Sequence, residues 1–272
     1  MSNQNKVGTV GNYAEVNGLK MYYEVHGASQ SANAVPLVLL HGALSATETS
    51  FGQVLPAFAK TRQVISIEQQ AHGRTADNDR PLTIPQMAED TVALLRQIGV
   101  QQADFFGYSM GAGIALQIAV KYPEMVRKQV LASITYNMEG LHPGLLDGIQ
   151  DLKPEHLYGS PFHNEYMRTA PRPEDFPILL ERVKEMDSNV QSWPAEAIRA
   201  IQAPTMLVYG DADIVRPEHM VEIFRLLGGG VIGDNVGLPR ARLAILPSTT
   251  HVTIAYRGDW LAPMITEFLD EA

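Results

Sequence analysis

The sequence predicts an α/β protein: a mainly parallel central sheet, helices on both of its faces, and an inserted helical cap. Three observations carry that prediction. From residue 35 onward, apolar runs of strand length alternate with stretches of helical periodicity, the spacing that parallel strands joined by crossover helices require. The pattern Gly107-Tyr108-Ser109-Met110-Gly111 falls where one apolar run ends and a helical stretch begins, so Ser109 occupies the turn between them. The alternation stops at Tyr136 and resumes after residue 200, and the segment between is rich in proline, charge and helical pattern. The chain is therefore expected to divide into a core of residues 1–135 and 201–272 and a cap of residues 136–200.

Residues 13–16 and 19–25 alternate apolar and polar around Asn17-Gly18, a two-residue hairpin signal, so the sheet is expected to start antiparallel. Residues 35–40 are a continuous apolar run ended by His41-Gly42-Ala43, and residues 50–59 place Phe51, Val54, Leu55 and Phe58 at helical spacing. Strand 63–67 leads into Ala71-His72-Gly73-Arg74-Thr75, and helix 84–98 has Pro85 in its first turn and Gly99 past its end. Strand 104–108 precedes the Ser109 turn and its helix, and strand 127–134 follows. In the cap, residues 175–189 and 195–200 read as helices. Strand 205–209 ends in Gly210-Asp211-Ala212-Asp213, a helix carries Met220, Phe224 and Leu227, and a loop opened by Gly228-Gly229-Gly230 runs to Pro239. Strand 242–246 and helix 261–269 close the chain, with Pro247-Ser248-Thr249-Thr250-His251 between them.

With 272 residues, 45% of them hydrophobic, the chain can bury a sizeable core without help. Its net charge of -9, from 21 basic and 30 acidic residues with no basic cluster, argues against nucleic acid or an anionic membrane as partner and favours a small molecule. The absence of cysteine excludes disulfides, thiolate nucleophiles, iron–sulfur clusters and cysteine zinc sites together. Residues 1–12 are polar and no stretch approaches the length of a membrane span, so a cytoplasmic location is expected.

A serine on a strand-to-helix turn projects its hydroxyl only if the chain reverses sharply, and glycine at 107 and 111 removes the Cβ atoms that would collide. The helix that follows aims its first N–H groups back at Ser109, where they can meet negative charge developing on a carbonyl oxygen. Serine is a poor nucleophile without a base, and the base needs an acidic partner to fix its tautomer. In a parallel sheet ligands gather at the carboxyl ends of the strands, and each candidate follows a strand. Of the eight histidines only His219 and His251 lie beyond the resumed sheet; His219 is expected on the solvated face of a helix, which leaves His251 as the base. Asp211 and Asp213 both follow strand 205–209, and periodicity does not choose between them. Met110 and Ala43 can offer the two backbone N–H groups of an oxyanion hole, with Leu44 a nearby alternative to Ala43. His41 and the His72-Gly73-Arg74 loop are assigned structural roles.

Taken in order, His41-Gly42, Ala71-His72-Gly73-Arg74-Thr75, Gly107-Tyr108-Ser109-Met110-Gly111, Gly210-Asp211-Ala212-Asp213 and His251 resemble the α/β-hydrolase superfamily, and within it the compact bacterial serine esterase and cofactor-free haloperoxidase-like branch. The resemblance covers nearly the whole chain. It implies Asp213 as the acid, three residues after the glycine of the Gly-x-x-Asp pattern. It also implies hydrolysis of carboxylic esters of small apolar substrates through an acyl-enzyme, with no metal and no organic cofactor. A lactonase, for example on acyl-homoserine lactones, a perhydrolase, a carbon–carbon bond hydrolase or a hydroxynitrile lyase would keep the same residues, and a triad-bearing ligand receptor is a reading of a different class. Epoxide hydrolases and haloalkane dehalogenases of this fold carry aspartate where this chain has Ser109. Two features depart from the family's pattern: Glu68-Gln69-Gln70 stands where many relatives have an aspartate, and the loop 228–239 is longer than in the simplest members. Of the large cap side chains Tyr136, Met138, Tyr158, Phe162, Tyr166, Met167, Phe176 and Trp193, more than half are expected to be cap core, while Tyr136, Met138 and Trp193, with Leu44, are expected to contact substrate.

Overall fold

The structure, a computed structural model, describes residues 10–29 and 34–271; most of the polar stretch 1–12 lies outside the described residues. An eight-stranded sheet in the order β1-β2-β4-β3-β5-β6-β7-β8 forms its centre. The hairpin expected around Asn17-Gly18 is β1 (Val10–Val16) and β2 (Leu19–His26), whose antiparallel register pairs Val16 with Leu19. Both turn residues have positive φ, as a two-residue turn of this kind requires. From β3 (Leu37–Leu40) onward the sheet is parallel, with β4 (Val64–Ile67) lying between β3 and the antiparallel β2.

Residues 50–59, expected as one helix, form two: α1 (Thr47–Phe51) and α2 (Leu55–Phe58). Pro56 cannot donate to the carbonyl one turn earlier, so the break falls just before it. α3 (Ile84–Gln97) is capped by the Thr83 hydroxyl, which accepts from the Gln86 N–H. β5 (Ala103–Tyr108), α4 (Met110–Lys121) and β6 (Val126–Ala132) follow.

Between β6 and β7 the described chain holds four α-helices and no sheet strand: α5 (Leu145–Gln150), α6 (Pro161–Thr169), α7 (Phe176–Ser188) and α8 (Ala195–Arg199). The two ends of this insertion meet, the Trp193 N–H donating to the Tyr136 carbonyl at 3.0 Å. β7 (Thr205–Ala212), α9 (Pro217–Leu226), the short α10 (Gly233–Val236), β8 (Ala241–Thr250) and α11 (Gly258–Asp270) complete the chain. β8 is longer than expected because its pairing with β7 resumes after an irregularity and runs to Ala212 opposite Thr250.

The central strands read as continuous apolar runs because both of their faces are covered. Along β3, Val38 and Leu40 join α3 and α4 in one core cluster, while Leu37 and Leu39 join Phe51, Phe58 and α11 residues in a second on the opposite face. A third cluster, Tyr166, Phe176, Leu179 and Val183 with Ala71 and Leu82, seats the insertion on the loop after β4. Among the described residues no helix is long and apolar enough to cross a membrane.

Candidate active site

Ser109 sits alone between β5 and α4 with φ 53° and ψ −116°, a conformation costly for a residue with a side chain. Packing holds it there. A Cβ at Gly107 would lie 2.2 Å from the Gly111 carbonyl oxygen, and one at Gly111 would lie 1.8 Å from the Leu40 carbonyl oxygen at the end of β3. Gly111 is thus required by the close crossing of α4 over β3 as well as by the reversal itself. The Ser109 N–H donates to the Ala132 carbonyl at 2.9 Å, tying the turn to β6, and its own carbonyl accepts the first helical bond, from Gly113.

The Ser109 hydroxyl donates to His251 Nε2 at 3.0 Å, and His251 Nδ1 donates to Asp213 Oδ1 at 2.9 Å. Asp213 is the aspartate the ring meets. Its Oδ2 accepts from the Ser133 hydroxyl at 2.6 Å and the Gly210 N–H at 3.3 Å, and its Oδ1 also accepts the Ile214 N–H at 2.8 Å. Burial pushes the Asp213 carboxyl up, but the bonds from His251, Ser133 and Gly210 outweigh it and hold the group below the usual carboxylate range. Asp211 faces away: it accepts the Ser248 and Thr249 N–H groups, both at 3.0 Å, and shapes the end of β8. The Tyr108 hydroxyl donates to the His251 carbonyl at 2.8 Å and fixes the backbone behind the ring.

His41 and His72 are fully buried. In each, Nδ1–H donates to a carbonyl, of Gly42 and Gln70, while Nε2 accepts a backbone N–H, from Gln69 and Leu44. Burial pushes the His41 pKa down to about 4 and that of His72 down to about 3. The Leu44 N–H is committed to His72, which removes Leu44 as an alternative oxyanion donor, while Ala43 and Met110, at the start of α4, line the same cavity as Ser109. Glu68, Gln69 and Gln70 are buried as well, and Arg74 donates to Glu68 through both its backbone and its guanidinium.

Ser109 and His251 open onto a cavity of about 380 Å³ between the carboxyl ends of the central strands and the insertion. Leu44 and Trp193 line it as expected, Trp193 being pinned by a 2.7 Å bond from its indole N–H to Gln117 of α4. Tyr136 and Met138 do not. Tyr136 stacks on His219 with ring centroids 4.6 Å apart and donates its hydroxyl to Glu222, so it anchors the insertion to α9 outside the cavity. Met138 is 51% exposed on a short turn and does not reach the cavity wall. His219 in turn is only 4% exposed rather than solvated, because that stacking covers it and the Tyr136 N–H donates to its Nε2. Phe162 lines the cavity, Tyr166 and Phe176 are core of the insertion, and Tyr158 and Met167 are exposed. Aliphatic residues make up most of the wall, among them Leu145, Leu146, Ile149 and Val183, together with Asp187. Attention to aromatic side chains missed them; the signal was present in the i, i+3 and i+4 spacing of α5 and α7. Among the described residues no group of three or more histidine or acidic side chains could hold a metal ion.

A sequence model of the alpha/beta hydrolase fold family matches residues 35–164. The solved structure of MGS-M2, an alpha/beta hydrolase enzyme from a Medee basin deep-sea metagenome library, superposes with a TM-score of 0.74 at 20% identity, covering 96% of this chain and 98% of that one. The chain has the α/β-hydrolase fold. In sequence it is 24% identical to the uncharacterized hydrolase YugF of Bacillus subtilis (strain 168), across 93% of this chain and 96% of that protein. It is 27% identical to the serine hydrolase BPHL of Mus musculus, across 93% of this chain and 84% of that protein.

Proposed function

We propose that this protein of the α/β-hydrolase fold is a serine hydrolase that cleaves carboxylic esters of small, largely apolar substrates through an acyl-enzyme. The observation that carries the reading is the unbroken relay from Ser109 Oγ through His251 to Asp213, opening onto a cavity walled mainly by aliphatic side chains. In this reading Ser109 Oγ attacks the ester carbonyl as His251 Nε2 takes its proton, and Asp213 holds the imidazolium that forms. The N–H groups of Met110 and Ala43 receive the oxyanion. Collapse breaks the bond to the alcohol oxygen, which leaves with the proton from His251. Water, deprotonated by the same nitrogen, then attacks the acyl carbon and releases the acid and free Ser109. The residues 136–200 act as a cap over the acyl group.

Phenyl acetate and longer phenyl esters, offered to the parent and to Ser109→Ala, test the reading. We expect loss of all but about a thousandth of kcat in the variant, and phenylmethylsulfonyl fluoride to leave its adduct on Ser109. Activity retained by Ser109→Ala, or an adduct elsewhere, would exclude it.

A further inference from the structure

Asp187 lies in the last turn of α7, on the face that carries Leu180 and Val183, where the helical period calls for an apolar residue. It lines the same cavity as Ser109 and His251, beside Met186 and Val190. The surroundings oppose a carboxylate. The end of a helix presents negative partial charge, and α7 has no basic residue in its last turn. Among the described residues no hydrogen bond or ion pair reaches the Asp187 carboxyl, and the one titratable side chain acting on it is His251. Burial accordingly pushes its pKa up to about 6. The other polar side chains of the wall are already engaged: the Ser133 hydroxyl by Asp213, the Thr135 hydroxyl by the Asn137 carbonyl, and the Gln191 amide by the Ser192 carbonyl. Asp187 is left with its full capacity to accept hydrogen bonds, turned toward the chamber of the nucleophile. A group that departs from the local pattern in so many respects at once serves a ligand rather than the fold.

We propose that Asp187 is a specificity residue that accepts a hydrogen bond from a hydroxyl, amide N–H or protonated amine carried by the acyl group of the substrate. The inference rests on the cavity being the acyl site and makes that acyl group an alkyl chain bearing a donor, not a plain hydrocarbon. The test uses methyl ketones, which present a carbonyl without a leaving group: a straight-chain series of graded length, and matched series ending in a hydroxyl or an ammonium. Binding is measured by calorimetry on the parent and on Asp187→Leu and Asp187→Asn. At one chain length the donor-bearing ketone should be favoured over its alkyl counterpart in the parent, and Asp187→Leu should cut that ratio by about 10- to 100-fold, the worth of a hydrogen bond to a charged group. Asp187→Asn, matched in shape, should narrow the same ratio, and it carries the test if the leucine variant does not fold. A ratio untouched by substitution at every length, or no binding of either series, overturns the proposal. Phenyl acetate turnover by the parent is read separately: its absence sinks the hydrolase reading and leaves the ketone ratios to decide the role of Asp187.

Discussion

Asp211 and Asp213 stand two residues apart after the body of β7 and meet different partners, because the irregular pairing with β8 between Gly210 and Ala212 turns the chain between them. Asp213→Asn should leave the fold intact and lower kcat by about 10⁴-fold, since an amide can offer His251 Nδ1–H the wrong partner and so favour the wrong tautomer. Asp211→Asn should leave kcat within a few-fold of the parent, its effect falling on the turn held by the Ser248 and Thr249 N–H groups. Phenyl ester kinetics on the two variants separate these outcomes; a reversal would exchange the roles of the two aspartates. Asp187 makes a prediction of the opposite kind, about stability. Its carboxyl is raised from 3.8 to about 6, so between those values the folded chain holds a proton that the unfolded chain has lost. Stability therefore falls as pH rises through that window, and the penalty is complete above it. Asp187→Asn should stabilise the protein at pH 7.5 by up to about 3 kcal/mol, with the gain vanishing below about pH 4. Urea unfolding at both pH values reads this, and an equal gain at both would show that the charge is not the cause.

At the scale of elements, α1 has no side-chain cap of its own, and Glu165 of α6 supplies one from across the chain. Its carboxylate accepts the N–H groups of Ala46 and Thr49 at 3.0 and 3.1 Å and of Glu48 at 2.8 Å, and Arg168 of the same helix pairs with Glu48. Glu165→Ala should cost about 2–3 kcal/mol by leaving these donors without a charged acceptor. Hydrogen exchange should locate the loss at the amides of residues 46–49 and in α6; protection unchanged there would show that the insertion is held elsewhere. No local pattern in the sequence announces a cap that lies more than a hundred residues from the helix it serves, which is why Glu165 went unread. What depends on local order was legible: the Asn17-Gly18 hairpin, the apolar run of β3, the glycines around Ser109, and the chain order of Ser109, an aspartate and His251, with Asp213 separated from Asp211 only by the family resemblance. What depends on how one helix face meets another was not. Tyr136 and His219, each read alone as a cavity residue and a solvated one, bury each other, and the wall was filled instead by aliphatic residues of α5 and α7.

Across the whole molecule, the insertion is held to the core by contacts on separate sides: Tyr136 and Trp193 at its two ends, Glu165 on α1, and Arg182 of α7, which pairs with Asp77 at 3.2 Å. The cavity lies among these anchors, so its floor must be equally fixed, and His41 and His72 provide that. They lie just after β3 and in the loop after β4, their rings 5.1 Å apart, and each bridges two backbone segments only while neutral, since Nε2 must accept an N–H. With pKa values pushed down from 6.5 to about 4 and about 3, both stay unprotonated in the folded state where the unfolded chain takes up protons. Their contribution to stability is therefore present above about pH 6.5 and is lost as pH falls toward 4. Glu68 opposes them. Burial raises its carboxyl from 4.5 to about 7, so its contribution grows as pH falls through the same window and masks the histidines in the parent's own profile. A variant isolates the effect. His72→Gln keeps an acceptor for the Leu44 N–H and gives up the titration. At pH 7.5 it should be less stable than the parent by about 1–3 kcal/mol, for the bond to Gln70 that it loses. Between pH 6.5 and 4.5 that gap should shrink by about 2–3 kcal/mol, because only the parent pays for keeping a histidine neutral. Urea midpoints of both proteins across the range measure the gap, and a constant difference would mean that His72 is protonated in the folded protein and that the Leu44 loop is held by something else.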